Sequence, residues 1–366
     1  MSMATLFGCT PPQLGDSDAA LALEDIVAGA NPSRLKAQTP VPRRQGVRYV
    51  IDGRARSGDL YLSPQGARAG IVLVPGVVAR GKDDHRLIAL ANTLARLRFT
   101  VLVPDIKGLR RFQTRASDVR EVADGFRYLL SQPEWVPQGR AGMAGFSYGG
   151  GIVLLAALEA DVREKVTFLM GFGGYHSMLN IVTYFTTGYY REEEQGEWVY
   201  RNPHYYLKWV FTLSNADLLA RPEDRAALRA FAHDINGIDD DDFVLSNLAA
   251  DAQALYALLT NEDPHRVSML IENLSPRVRD ELAGINPAVR DLAKIRAKVI
   301  LLHGRGDTMI PYTESIALAR ALRVDQVELF IIEGYAHTDV RPKRKDIPQL
   351  LKAMETLLAQ RSNNVM

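Results

Sequence analysis

Short apolar runs alternate with amphipathic stretches along most of the chain, and the alternation sets in at Gly46. Val47 to Ile51 and Leu60 to Ser63 read as two strands joined by a glycine-containing turn over Asp52 to Gly58. Ile71 to Val74 is an apolar run that stops at Pro75-Gly76, and Thr100 to Val103 is another that stops at Pro104-Asp105. Asp83 to Leu97 and Ser117 to Leu130 carry the apolar spacing of helices. Arg140 to Ala144 is small and apolar enough for a buried strand, and Gly150 to Glu159 reads as a helix after it. Val166 to Met170 is one more buried-strand candidate, ending at Gly171 and the Gly173-Gly174 pair. Strands of four to six apolar residues between helices predict right-handed βαβ units. The fold class is α/β, with a mostly parallel, doubly wound sheet covered on both faces. Such a sheet carries its active site at the carboxyl ends of the strands, where these glycine-rich turns fall.

The rhythm breaks from Tyr175 to about Arg290, a segment that reads as helices with irregular links and no convincing strand. It opens with an aromatic-rich stretch that includes Tyr184, Phe185, Tyr189, Tyr190, Trp198, Tyr200, Tyr205, Tyr206, Trp209 and Phe211. After Lys298 the rhythm resumes with a strand over Val299 to Leu302, a helix over Thr313 to Leu322, a strand over Val327 to Ile332 and a helix over Ile347 to Gln360. An insertion of this size before the last two strands is most simply a helical cap over the carboxyl edge. The expected division is therefore an extension over 1–45, a core made of 46–174 and 291–366, and a cap over 175–290. The cap aromatics either line an apolar acyl pocket or form the cap's own core, and both hold if different residues do each.

Composition narrows the classes of function. Hydrophobic residues make up 47% of the 366 and charged residues 24%, ordinary for a globular protein. A net charge of +1 argues against general attraction to nucleic acid or anionic lipid. Cys9 is the single cysteine, so an internal disulfide and a cysteine metal cluster are excluded. Leu6-Phe7-Gly8-Cys9 followed by Thr10-Pro11-Pro12 resembles the end of a bacterial lipoprotein signal, yet the residues before Cys9 hold no basic region and no full apolar core. Two expectations stand: a cytoplasmic protein with a coincidental thiol, or a lipid anchor at Cys9 if the true start lies upstream. Asp16 to Gly29 has the spacing of a short helix, with Asp16 or Ser17 as N-cap and Gly29 as stop, and Pro32, Pro40 and Pro42 form a stiff connector after it. No apolar run beyond the N-terminus is long enough to cross a bilayer.

The chemistry centres on Gly145-Phe146-Ser147-Tyr148-Gly149, which fits the nucleophile-elbow pattern G-x-S-x-G between a predicted strand and a predicted helix. Downstream, the strand Val299 to Leu302 ends in His303-Gly304-Arg305-Gly306-Asp307, and the strand Val327 to Ile332 ends in Glu333-Gly334-Tyr335-Ala336-His337. His337 is the only histidine after Asp307 in a chain with seven. Over about residues 46 to 360 the sequence resembles the α/β-hydrolase family, whose triad runs in the order nucleophile, acid, histidine. The resemblance implies Ser147 as nucleophile, His337 as the base that returns its proton to the leaving group, and Asp307 as the group that orients His337. It also implies an oxyanion hole from the N–H of Tyr148 and of Val77, with Val78 as the alternative. The family loop that often begins His-Gly is here Pro75-Gly76-Val77-Val78, which leaves that choice open.

These expectations describe a serine hydrolase of a carboxylic ester, either one with an apolar acyl group or a small ester, working through an acyl-enzyme. Thioesterase, amidase, peptidase or acyltransferase chemistry is the alternative, since the loops are similar to those of dienelactone-hydrolase-like and serine-aminopeptidase-like members. A non-catalytic binding protein of the same fold is the rival from another class. Asp105, at the end of its own strand, is a rival acid that precedes the serine and reads more simply as a loop cap. His303 reads as a loop-bracing histidine, and Glu333 and Asp339 flank His337 either to tune it or, more simply, as solvated residues. The run Asp239 to Asp242 lacks the ligand spacing of a calcium loop. No HExxH, P-loop or GxGxxG follows a strand, so no metal, nucleotide or other cofactor is expected.

Overall fold

The computed structural model describes residues 15–193, 195–234, 247–337 and 343–362. Cys9, Asp339 and the run Asp239 to Asp242 lie outside the described residues. The strands, in chain order, are β1 (Arg43–Ile51), β2 (Arg54–Leu62), β3 (Ala69–Val74), β4 (Phe99–Pro104), β5 (Ala141–Phe146), β6 (Phe168–Phe172), β7 (Tyr189–Arg191), β8 (Trp198–Tyr200), β9 (Lys298–Gly304) and β10 (Val327–Ile332). Eight of them form one sheet in the order β1-β2-β4-β3-β5-β6-β9-β10. Pairing is parallel from β4 to β10 and antiparallel where β1 meets β2 and β2 meets β4. This is the mostly parallel α/β sheet that the alternation of apolar runs predicts.

Continuous apolar runs become central strands because both of their faces are covered. Every residue of β3 and β4 is buried. On one face, Phe126 and Val122 of the helix Ser117–Leu130 and Ile152 of the helix Tyr148–Ala156 pack with Leu102 and Met143. On the other, Leu94 of the helix His85–Arg96 and Leu357 of the helix Ile347–Ala359 pack with Ile71, Val101 and Ile300.

Three local features differ from the sequence expectation. The turn between the first two strands is Asp52-Gly53, with φ of 47° and 77°, rather than the whole stretch Asp52 to Gly58. Asp-Gly suits a two-residue hairpin turn with positive φ at both positions, so Arg54 to Ser57 are free to pair as strand. The extension forms the short helix expected between a Ser17 cap and Gly29, and that helix is docked on the core. Its helix Asp18–Ala28, capped by Ser17, buries Ala19 to Ala22, and Asp25 accepts a hydrogen bond from Thr93 on the helix His85–Arg96. A further turn of helix, Arg34–Gln38, interrupts the proline-rich connector. The segment expected to hold no strand contains the antiparallel pair β7–β8, held by Tyr189 against Tyr200 and by Arg191 over the Trp198 ring.

Otherwise the segment between β6 and β9 is mostly helical, with six α-helices among its described residues from Met178–Thr187 to Pro276–Gly284. Among the described residues no helix is long and apolar enough to cross a membrane.

A buried ion cluster clamps the hairpin to the helical layer. Asp124, with no exposed surface, accepts from Arg54 at 2.8 Å, Arg120 at 3.0 Å and Arg56 at 3.1 Å. Replacing Asp124 with alanine leaves three guanidiniums facing one another, though each keeps partial access to water. We expect a loss of about 3 kcal/mol, at the low end for breaking a buried pair, read as a lower urea midpoint at unchanged m.

Candidate active site

Ser147 stands at the turn from β5 into the helix Tyr148–Ala156, with φ 53° and ψ −123°. A non-glycine residue with positive φ is strained, and the surroundings hold this one on both sides. Its N–H donates to the Phe172 carbonyl at 2.8 Å, and its carbonyl accepts from Gly150 at 2.9 Å. The flanking glycines are required by contact. A Cβ on Gly145 would stand 2.2 Å from the Gly149 carbonyl oxygen, and one on Gly149 would stand 2.6 Å from the Pro75 carbonyl oxygen.

Asp307 follows β9 in a loop that its own carboxylate organises. Oδ1 accepts the N–H of Met309 at 2.8 Å and of Ile310 at 2.9 Å. Oδ2 lies 2.6 Å from His337 Nδ1 and 3.4 Å from His303 Nε2. Burial by itself raises the Asp307 pKa, but the attraction and hydrogen bonds of His337 and His303 outweigh it and hold the carboxyl well below its usual range. His303 is the brace expected of it: Nδ1 meets Ser315 Oγ at 2.7 Å and Nε2 meets the Ile310 carbonyl at 3.0 Å.

His337 follows β10, and its loop is anchored by Asp346, which accepts from the N–H of Glu333 at 3.1 Å and of Gly334 at 2.9 Å. Glu333 faces outward and pairs with Arg305. Asp105 follows β4, four strands along the sheet from β9, and pairs with Arg110 at 3.0 Å.

Asp307 and His337 are thus brought together, and both lie against the end of β6. A Cβ on Gly173 would be 3.3 Å from His337 Nδ1 and 3.5 Å from Asp307 Oδ2, while Phe172 just before it holds the Ser147 N–H. Among the described residues no hydrogen bond joins Ser147 Oγ to His337. Such contacts are commonly long without substrate and tighten in the complex. The loop after β3 reaches the serine from the other side, with the Cβ position of Gly76 3.4 Å from Ser147 Cβ. Among the described residues, the N–H groups of Tyr148, Val77 and Val78 have no protein acceptor.

A cavity of about 70 Å³ opens beside Ser147, lined by Val77, Met178, Phe185, Val210 and Phe211 among others. Three tyrosines also line it, and each hydroxyl is engaged elsewhere: Tyr148 with Asp118 at 2.8 Å, Tyr175 with the Ile285 carbonyl at 2.7 Å, and Tyr206 with the Val77 carbonyl at 2.7 Å. No Asp, Glu, Lys or Arg lines the cavity, so it is apolar in effect. The aromatic stretch divides its work: Phe185, Tyr206 and Phe211 face this cavity, whereas Tyr184 is fully buried. A larger cavity of about 290 Å³ lies beside Tyr49, Arg56 and Glu121, and none of Ser147, Asp307 and His337 borders it.

Sequence reasoning missed Asp118, Asp346 and Glu314. Glu314 is buried and accepts the N–H of His176 at 2.8 Å and of Ser177 at 2.7 Å, which fixes where the chain leaves the sheet after β6. Each of the three reads as an ordinary acid near a helix start, and no spacing in the sequence links it to its distant partners.

Sheet order, elbow and the paired loops after β9 and β10 define an α/β-hydrolase. The chain belongs to the family described as X-Pro dipeptidyl-peptidase (S15 family), which matches residues 107–338. Among solved structures, a candidate hydrolase from Legionella pneumophila is similar at TM-score 0.58 and 15% identity, over 96% of this chain and 96% of that one. The α/β hydrolase GrgF from Penicillium is similar at TM-score 0.51 and 17% identity, over 87% and 99%. The acylaminoacyl peptidase of Pyrococcus horikoshii is similar at TM-score 0.50 and 13% identity over 88% of this chain, which spans 42% of that peptidase's length. At such identities the likeness is one of fold. No curated protein matches the sequence.

Burial pushes Asp118 up to about 7 from 3.8, against the opposing hydrogen bonds from the Arg115 N–H and the Tyr148 hydroxyl. Between those two values the folded state holds a proton that the unfolded chain has lost. This contribution to stability is complete below about 3.8 and is lost as the pH rises through about 7. Asp118→Asn is expected to remove that downward slope from urea-derived stability measured across the window. An identical slope in wild type and variant would contradict the assignment.

Proposed function

We propose that the chain hydrolyses an acyl bond through an acyl-enzyme on Ser147, with a small apolar acyl group seated under a helical cap formed by residues 175–290. The observation that carries this reading is the cavity beside Ser147, whose N–H is held by the Phe172 carbonyl next to the glycine against which the Asp307–His337 pair lies. A serine hydroxyl is a weak nucleophile at neutral pH, so His337 takes its proton through Nε2 as Oγ attacks the carbonyl carbon. Asp307, kept ionised, holds Nδ1–H and stabilises the imidazolium that forms. The tetrahedral oxyanion is met by the N–H of Tyr148 and by that of Val77 or Val78; losing one such donor typically costs about a hundredfold or more in rate. His337 then protonates the leaving group, and water repeats the sequence to release the acid.

The bond cleaved is, in this proposal, an amide with a small apolar residue on its acyl side. The family and the acylaminoacyl peptidase likeness favour a peptidase over the esterase that the sequence first suggests. Ester cleavage is the second reading, favoured by a cavity that offers no carboxylate to a substrate amino group. A cavity of about 70 Å³ is roughly half the size of one that admits benzene, so alanyl, prolyl, valyl or butyryl groups fit the scale and longer chains do not.

Two substrate series test the proposal: p-nitroanilides of acylated alanine, proline, valine and phenylalanine, and p-nitrophenyl esters from acetate to octanoate. We expect turnover of the small anilides, a steep fall for phenylalanine and octanoate, and a loss of at least about a thousandfold in Ser147→Ala and Asp307→Asn. Turnover of esters with no anilide cleaved would move the assignment to the second reading.

A further inference from the structure

The loops that carry Asp307 and the oxyanion donors are separate parts of the sheet's carboxyl edge, yet one short piece of the cap grips both. Arg201 leaves β8 with its own N–H donating to the Gly188 carbonyl and its guanidinium over the Tyr190 ring. Nη1 donates to the carbonyl of Arg305 at 2.9 Å and to that of Asp307 at 3.1 Å. Among the described residues the Arg201 guanidinium has no carboxylate partner, so its charge is directed at two backbone carbonyls of the acid loop. The His204 N–H donates to the Thr308 carbonyl at 2.8 Å, and the Tyr184 hydroxyl donates to the same carbonyl at 3.1 Å. Two residues further on, the Tyr206 hydroxyl donates to the Val77 carbonyl at 2.7 Å.

Each of these contacts acts on geometry that the chemistry needs. The Asp307 carboxylate faces His337, while the carbonyls of the same loop face away and are taken up by Arg201 and His204. The loop is held from outside as well as from within. The Val77 carbonyl belongs to the peptide that ends in the Val78 N–H, and it adjoins the peptide that ends in the Val77 N–H. Fixing that carbonyl sets the direction of the Val78 N–H, in the same peptide plane, and restrains the neighbouring Val77 N–H. Pro203, between the two grips, stiffens the six-residue strap.

We propose that Arg201 and Tyr206 are positioning residues through which the docked cap aligns the acid loop and the oxyanion loop, so that full turnover depends on the strap. This rests on the Ser147–His337–Asp307 reading. Among the described residues the strap makes no hydrogen bond to the serine or the histidine, so its loss is expected to lower kcat through misalignment and to leave ground-state binding in the cavity nearly unchanged. Tyr206→Phe keeps the ring that lines the cavity and removes only the hydroxyl. Arg201→Ala removes the guanidinium and leaves a space that a small guanidinium compound can fill.

The test compares wild type with Arg201→Ala, Tyr206→Phe, Ser147→Ala and Val199→Ala, the last a control at an exposed β8 side chain that makes no hydrogen bond to either loop. Kinetics use the best substrate of the two series. We expect kcat to fall about tenfold to a hundredfold in Arg201→Ala and about tenfold in Tyr206→Phe. KM stays within about twofold, thermal midpoints stay close to wild type, and Val199→Ala is unaffected. Ethylguanidine is expected to restore part of kcat in Arg201→Ala and to do nothing for Tyr206→Phe. Wild-type kcat in both strap variants, a rise in KM at constant kcat, or an equal loss in Val199→Ala would overturn the proposal. Wild-type turnover in Ser147→Ala would instead overturn the triad reading on which it rests. An inactive Ser147→Ala beside fully active strap variants would overturn the strap alone.

Discussion

The whole active edge of this molecule depends on one strained residue. Ser147 has a positive φ that a serine rarely adopts, and it is kept there because the sheet leaves the chain no other route into the helix Tyr148–Ala156. A Cβ on Gly145 would run into the Gly149 backbone, and one on Gly149 into the carbonyls of Val74 and Pro75. The elbow is therefore packed against the end of β3, the strand whose following loop offers the free N–H groups of Val77 and Val78. One local constraint thus presents the hydroxyl, opens a helix N-terminus beneath it and brings a second donor loop alongside.

Asp307 and His337 complete that edge by a different physical principle. A buried carboxylate is costly unless it is fully partnered, and Asp307 is partnered on every side: two backbone N–H groups on one oxygen, two imidazoles at the other. Its low pKa follows from that enclosure. The cost of building such a site is carried by acids far from the chemistry. Asp346 holds the start of the His337 loop and Glu314 holds the chain where it leaves β6.

What the sequence shows and what it hides divide along the same line. Ser147, Asp307 and His337 are legible because each follows an apolar run that must be a central strand, and strand order carries loops to a common edge. The β1–β2 pairing was readable in principle, since Asp52-Gly53 is a hairpin signal, but the alternation of Arg54 to Ser57 is too polar to announce a strand. The contacts of Arg201, Tyr206 and Asp118 were not readable. They join positions 30 to 129 residues apart through single hydrogen bonds, and no periodicity encodes such a bond. The β7–β8 pair escaped notice for another reason: three-residue strands rich in tyrosine look the same as an aromatic stretch of helix.

In the proposed mechanism Ser147, His337 and the free N–H groups around them form one acyl-transfer site. A crystal structure of the protein after reaction with a small alkyl fluorophosphonate tests it most directly. The proposed site predicts phosphorus bonded to Ser147 Oγ and the alkyl group in the cavity beside Phe185 and Phe211. It places the phosphoryl oxygen within hydrogen-bond distance of the Tyr148 N–H and that of Val77 or Val78, and His337 Nε2 facing Oγ. Phosphorus on another residue, or a phosphoryl oxygen turned away from those N–H groups, would contradict it.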